Sequence, residues 1–271
     1  MQMLLKDGKK KVLTLSYDDA VKADKRLMRI LDAKGIKCTF NVNSGGYSDG
    51  TNPEERRMTK EEAIAAFKNS GHEVALHGYT HPHLHMLDEM DIIREIAEDK
   101  KGIEADYGII ARGMAYPYGS YDDRVVDILK KCGIVYARTV AQTLNFDIPT
   151  DWLRLPSTCH HNHPELMALA KRFVEKEHVR GFAQMFYVWG HSYEFDNDNN
   201  WHVIEEFADY IGGREDIWYA TNIEIFDYIT AYQRLETGYE KNRIHNPSGI
   251  SVWVQIGGKA YEIKPNETLT I

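Results

Sequence analysis

Residues 12–19 read Val-Leu-Thr-Leu-Ser-Tyr-Asp-Asp. An apolar run of strand length ends in two adjacent carboxylates. Beyond it, Leu27, Ile30 and Leu31 recur at helical spacing, and Gly35 stands where a helix C-cap belongs. A second apolar run, 36–42, follows at once. This β-then-α unit sets the pattern for most of the chain. Further strands are expected over 73–76, 114–116, 134–138, 182–189 and 218–220. Helices are expected over 20–34, 59–67, 88–107, 122–131, 164–177, from 201, and over 223–234. Thr59-Lys-Glu-Glu62 is a capping-box signature for the second of these helices.

Repeated β-then-α units return each strand parallel to the last, because the crossover is right-handed. The expected fold is α/β, a distorted or partly open (β/α) barrel of about seven parallel strands. The tail breaks the pattern. Residues 251–256 and 259–263 alternate apolar and polar around Gly257-Gly258, a hairpin signal. We expect a barrel domain over 1–240 and a small C-terminal β appendage over 241–271.

Composition narrows the function classes. The 271 residues carry 43% apolar residues, enough for a real core, and a formal net charge of −8. Binders of duplex nucleic acid need basic clusters, and the short runs at 9–11 and 100–101 are too small. Neither a nucleic acid nor a membrane partner is expected, since no apolar run approaches a membrane span. The N-terminus shows no secretory h-region, so a cytoplasmic location is expected. Cys38, Cys132 and Cys159 are odd in number and lack CxxC spacing, which argues against a disulfide framework or a thiolate zinc site.

The residues with chemistry follow the strands, where such folds gather their sites. Asp18 and Asp19 repel one another unless a cation or hydrogen bonds intervene, or else they cap the following helix. His77 and His81 are four apart, a spacing that can set both imidazoles on one side of a helical turn for metal binding. The same histidines could belong to a histidine-rich surface loop. Pro117-Tyr118-Gly119 is a tight turn that can aim a backbone N–H at an oxyanion. His191 closes an apolar strand and is a candidate acid or a hydrogen-bonded histidine at the core edge.

Taken in order, these segments resemble the polysaccharide deacetylases, the NodB-homology domain of carbohydrate esterase family four. Ser16-Tyr17-Asp18-Asp19 is similar to the family's first motif. His77-Gly78-Tyr79-Thr80-His81 is similar to its second, with Gly where a hydroxyl residue is usual. Pro117-Tyr118-Gly119 is similar to its third, and Val188 to His191 to its fifth. The resemblance covers about residues 10 to 230. It implies that Asp19, His77 and His81 hold a divalent metal, Zn²⁺ first, with Co²⁺, Mn²⁺ or Ni²⁺ able to serve. It implies Asp18 as the base that activates the attacking water, the Tyr118 N–H as an oxyanion donor, and His191 as the acid for the leaving group. An acetylated carbohydrate is the implied partner, and the oligomeric state stays open.

Two departures stand out. The family's third motif carries Arg two residues before the Pro, where it orients the base, and here that position is Ala115. Arg112 lies nearby in sequence. The family's fourth motif, an Asp-Trp pair that tunes the catalytic His and lines the pocket, has a candidate in Asp151-Trp152. Pro117, Trp189 and His160 are further candidates for substrate contact, with Trp201 as another aromatic platform. The implied activity is removal of acetyl from N-acetylated amino sugars or oligosaccharides. O-deacetylation, hydrolysis of a cyclic amide or ureide, and a silent carbohydrate-binding module are the alternatives.

Overall fold

The computed structural model describes residues 1–175 and 182–271. The tail of the helix expected over 164–177 therefore extends outside the described residues. The parallel strands are β2 (Lys11–Asp18), β3 (Cys38–Val42), β4 (Glu73–Leu76), β5 (Gly113–Ala115), β6 (Tyr136–Gln142), β7 (Leu155–Ser157), β8 (Cys159–His160), β9 (Gln184–Gly190) and β10 (Ile217–Tyr219), after a short β1 (Gln2–Leu4). The helices are α1 (Asp24–Asp32), α2 (Lys60–Phe67), α3 (Glu89–Tyr107), α4 (Asp123–Lys131), α5 (Leu166–Glu175), α6 (Tyr193–Asn197), α7 (His202–Ile211) and α8 (Asn222–Gln233).

The sheet runs β7-β6-β5-β4-β3-β2-β9-β8. Its two ends, β7 and β8, are consecutive in the chain, and between them the Thr158 N–H donates to the Tyr187 carbonyl of β9 (2.8 Å). The ring therefore closes through residues 155–160. That stave was not expected from the sequence. It is short and carries Pro156, which cannot donate to a ladder. The expected strand at 218–220 plays another part. β10 pairs with the start of β2 (Ile217 to Lys11), while β3 pairs with its end (Leu15 to Cys38). β10 is thus a wedge beside β2, and the barrel is distorted there.

Period-two alternation sorts the strand residues. Leu13, Leu15 and Tyr17 of β2 join the core beneath the helices. Thr14, Ser16 and Asp18 face the lumen, where Thr14 Oγ1 donates to Asn222 Oδ1 (2.9 Å) and Asn41 Nδ2 donates to Ser16 Oγ (2.7 Å). Phe186 and Val188 of β9 join the helix-side core, while Trp189 borders the lumen at its open end. α2, α3, α4 and α8 begin where a capping side chain satisfies orphan N–H groups. The Thr59 and Glu62 side chains form the expected capping box on α2, and Asp88 and Asp122 cap α3 and α4.

The last strands are β11 (Glu236–Thr237), β12 (Arg243–His245), β13 (Val252–Ile256), β14 (Lys259–Ile263) and β15 (Thr268–Thr270). β13 and β14 form an antiparallel hairpin, and β1 pairs antiparallel with β13. The N-terminus is thereby tied to the tail, and the Tyr228 hydroxyl of α8 donates to the Leu4 carbonyl (2.7 Å). No helix among the described residues is long and apolar enough to cross a membrane.

The helix-side core gives a direct stability test. Phe186 is fully buried and meets Phe146, Phe173 and Phe207 at ring-centroid distances of 5.3, 5.3 and 5.7 Å. Phe186→Ala is expected to lower unfolding free energy by about 3–5 kcal/mol, read by urea denaturation. A loss below about 1 kcal/mol would contradict this packing.

Candidate metal and acid–base centre

Asp18 ends β2 inside the barrel mouth and is 2% exposed. Its Oδ2 meets Arg138 Nη2 of β6, and its Oδ1 accepts from Asn41 Nδ2 of β3 (2.8 Å). Arg138 is buried as well and lies over the Trp189 ring, 4.2 Å from its centroid. Burial alone would raise the Asp18 pKa. The Arg138 guanidinium, His77, His191 and the Asn41 bond outweigh it and hold the carboxyl at about 2. Asp18 is therefore a fully ionised carboxylate in a closed environment.

Arg138 was not anticipated, and it answers the gap at Ala115. β5 and β6 pair with Ala115 directly beside Arg138. The guanidinium reaches Asp18 from the neighbouring strand instead of from the third motif. The one sequence signal was an Arg closing the apolar run Ile134–Ala137. Arg112 is occupied elsewhere, paired with Asp227 through two hydrogen bonds of 2.9 and 2.6 Å.

Asp19, His77 and His81 converge: one side-chain donor atom from each lies within 4.8 Å of the others. The two Nε2 atoms are 3.2 Å apart, and Asp19 Oδ1 is 3.9 Å from His77 Nε2 and 3.8 Å from His81 Nε2. The His77 Nδ1–H donates to the Ala115 carbonyl (2.9 Å), which leaves its Nε2 lone pair pointing inward. Burial lowers the pKa of both imidazoles, and His81, also facing His77, falls to about 4. Two facing ring nitrogens must share either a proton or a cation. Neutral imidazoles with a carboxylate suit Zn²⁺ and related divalent ions.

The convergence does not come from a helical turn. The 77–81 segment is a loop with left-handed backbone at Gly78 (φ 76°) and His81 (φ 62°). At Gly78 a side chain would face both this positive φ and a Cβ contact of 3.1 Å with Pro117 Cγ. Nor do the aspartates cap α1, which starts only at Asp24. Asp19 itself has φ 82°, and Tyr118 has φ 57°. Side chains around the loop hold this strained backbone in place. Asp99 accepts from the His77 N–H (3.0 Å), Asn43 Nδ2 donates to the His77 and Gly78 carbonyls (2.5 and 2.7 Å), and Glu95 accepts from the Thr80 N–H (2.8 Å).

His191 follows β9 with its Nε2 3.8 Å from Asp18 Oδ2 and its Nδ1 3.4 Å from Glu194 Oε1. Burial lowers its pKa, but Glu194 and Asp18 outweigh that effect and raise it. Asp18, Asp19, Arg57, His77, His81, Tyr118, Arg138, Trp189 and His191 line one cleft of about 490 Å³. Arg57, also unanticipated, donates to Asp19 Oδ1 (3.3 Å). The exposed Tyr118 ring stacks on His83 (4.0 Å) and caps His81 edge-on (4.4 Å).

Other expected contacts fall elsewhere. Asp151 caps a short helical turn through the Leu153 and Arg154 N–H groups and pairs with Arg154. It lines a separate cleft of about 320 Å³. Trp152 is buried edge-on against Phe226. The local turn commits both residues, so the Asp-Trp pair does not reach His191. Pro117 is buried behind the Gly78 turn, and His160 sits behind Trp189, edge-on at 4.7 Å. Trp201 packs on Phe195 and beneath Arg26.

The buried pair yields a pH-dependent prediction. Arg138→Met strands the Asp18 carboxylate and is expected to cost about 3–5 kcal/mol near neutral pH. In the native protein the Asp18 pKa is depressed from 3.8 to about 2. Its stabilisation is therefore full above about pH 4 and fades as pH falls towards 2. The gap between native and variant in urea denaturation should narrow over that window, and a gap that does not change with pH would separate Arg138 from Asp18.

Residues 5–137 match the family model described as polysaccharide deacetylase. Chitin deacetylase 1 of Cryptococcus neoformans var. grubii is 30% identical over 149 residues, 53% of this chain and 29% of that protein. The chitin deacetylase of Colletotrichum lindemuthianum is 28% identical over 115 residues, 41% of this chain and 43% of that protein. The chain thus spans less than half the length of these curated relatives. In structure, a Mycobacterium smegmatis protein assigned to the polysaccharide deacetylases superposes with a TM-score of 0.61 at 17% identity, over 86% of this chain and 96% of that one. A family 4 carbohydrate esterase from Streptomyces lividans gives a TM-score of 0.53 at 18% identity, over 77% and 91%. These two likenesses show the shared barrel. The family match runs through Asp18, Asp19, His77, His81 and Tyr118, so the stretch 5–137 is similar to the polysaccharide deacetylases.

Proposed function

We propose that the chain is a metal-dependent hydrolase that removes acetyl groups from N-acetylated amino sugars or oligosaccharides. One observation carries this reading. The ionised Asp18 carboxylate lies between His77 Nε2 (3.7 Å) and His191 Nε2 (3.8 Å). A base is thereby set between a ligand cluster and an acid.

Asp19, His77 and His81 would hold the ion, Zn²⁺ by donor type. Such an ion supplies Lewis acidity, making water nucleophilic near neutral pH and stabilising charge on the acetyl oxygen. The remaining work falls to the chain. Asp18 Oδ2 accepts the proton of the attacking water. Arg138 and Asn41 fix the carboxylate so that little reorganisation accompanies that transfer. The Tyr118 N–H is the candidate donor to the acetyl oxygen, since its left-handed turn is closed by the next two N–H groups, which donate to the Tyr116 and Pro117 carbonyls. His191 Nε2 donates the proton that the leaving nitrogen needs. Trp189, Tyr193 and Tyr118 provide aromatic walls suited to a sugar ring.

An acetate-release screen over N- and O-acetylated glycans, run with and without added divalent metals, tests the reading. Release from N-acetylated amino sugars that chelator abolishes and metal restores is expected. Full activity in metal-free protein would overturn it, and release from O-acetyl substrates alone would move the function to esterase. Asp18→Asn should retain about one metal per chain by elemental analysis yet lose turnover by roughly 10²–10⁴-fold. Near-native turnover in that variant would remove Asp18 as the base.

A further inference from the structure

Behind the cleft, three imidazoles gather on one carboxylate. His160 Nε2 and His161 Nε2 lie 3.2 and 3.1 Å from Glu194 Oε2, and His191 Nδ1 lies 3.4 Å from Oε1. The backbone N–H of His191 also donates to Glu194 Oε2 (3.3 Å). His161 is fully buried, its ring packed against Phe195 (4.1 Å) and Tyr17 (5.6 Å), which also meet one another (6.2 Å). β9 makes room for it with Gly190, where a Cβ would fall 1.9 Å from His161 Nδ1. An aromatic slot and a glycine thus hold one buried imidazole against Glu194.

His160, His161 and Glu194 also have the composition of a second metal site. Ring tautomers decide between the two readings. At His77, Nδ1 donates to a carbonyl and frees the Nε2 lone pair for a cation. At His160 the polarity is reversed, because Nδ1 accepts the Asn162 N–H (3.1 Å). A neutral His160 therefore carries its proton on Nε2, facing Glu194, and has no lone pair there for a metal. His161 Nδ1 has no partner among the described residues. An unprotonated Nε2 lone pair facing the carboxylate would be repelled, so its proton also belongs on Nε2. At 3.1 Å this N–H is poorly aligned with Oε2, which makes the contact ionic more than a formed hydrogen bond.

We propose that Glu194, three residues downstream, is the positioning carboxylate of His191, the role that the resemblance gives to a fourth-motif Asp. Glu194 orients the His191 ring by an ionic contact, Nδ1 lying 3.4 Å from Oε1 without the alignment of a formed hydrogen bond, so that Nε2 faces Asp18 and the reacting centre. His160 and His161 hold Glu194 in turn. In the acid step the His191 Nε2–H bond breaks, an N–H bond forms on the departing amine, and a neutral imidazole remains with its proton on Nδ1. Burial disfavours the Glu194 anion, but the three histidines outweigh it and hold the carboxyl far below its usual range. The charged and titratable groups facing His191 are Asp18 and Asp19 from the end of β2, Glu194 and Tyr193 from α6, and His161 after β8. This assignment rests on His191 being the acid of the proposed deacetylation.

The test follows the ¹⁵N imidazole resonances of the full chain, with His191 assigned through His191→Gln. Native protein should show neutral His191 protonated on Nδ1, Glu194→Gln should lose that preference, and Glu194→Asp should recover it in part. An Nε2-protonated neutral His191 in native protein, or a Glu194→Gln spectrum with His191 unchanged, would overturn the proposal. In kinetics, Glu194→Gln should lower kcat on an N-acetyl substrate roughly 10–100-fold with KM little changed. The loss should be smaller on an aryl acetate, whose leaving group needs no proton, and equal losses on both would count against it. One metal per chain in both native and Glu194→Gln protein is expected; two in the native and one in the variant would establish the metal site instead. If native protein released no acetate from any substrate, the deacetylase reading would fall, while the resonances would still judge the Glu194–His191 pairing.

Discussion

The contact between Asp18 and Arg138 constrains the rest of the site. A carboxylate with 2% exposure is costly to keep charged unless a cation and hydrogen bonds replace its water. Arg138 meets that condition from β6, across the lumen, and Asn41 from β3. The guanidinium is itself sandwiched against Trp189 of β9. One charged pair thus fixes four staves of the barrel relative to one another, and it holds the base ionised where it would work. A flatter sheet or an open barrel could not bring these strands to a common point.

Around that pair the histidines separate into two kinds by what their second nitrogen meets. His77 gives its Nδ1–H to a carbonyl and presents a lone pair inward. His160 receives a backbone N–H at Nδ1 and presents a proton. Side chains of one chemical type, within one barrel mouth, therefore serve opposite ends: one set invites a cation, the other steadies an anion. Which end each serves is set by a backbone partner outside the cleft, and composition says nothing about it.

The site is also where backbone strain collects. Asp19, His81 and Tyr118 all adopt left-handed conformations that residues with a Cβ rarely adopt. Each of the three is a residue assigned to chemistry. Asp99, Glu95 and Asn43 bind the backbone of the 77–81 loop and keep it in this shape. Asp99 is fully buried, and burial raises its pKa to about 7 despite the bonds it accepts from Ser44 and His77. The order of the 77–81 loop therefore depends on α3, an element with no residue in the cleft.

The sequence by itself determined the repeated β-then-α units, the C-terminal hairpin, and the ordered set Asp18, Asp19, His77, His81, Tyr118 and His191. The units and the hairpin are legible from local periodicity, and the site residues from short motifs whose order along the chain resembles a known family. It did not show the closing stave at 155–160, which is too short and too interrupted by Pro156 to read as a strand. It placed the fourth-motif pair at Asp151-Trp152, whereas the fold turns both away into a local cap and the core. Only the tertiary structure brought Arg138 to Asp18, 120 residues apart, and gathered His160 and His161 on Glu194. Those partners are fixed by strand register and ring closure, and a neighbour set by register leaves no spacing in the chain to read.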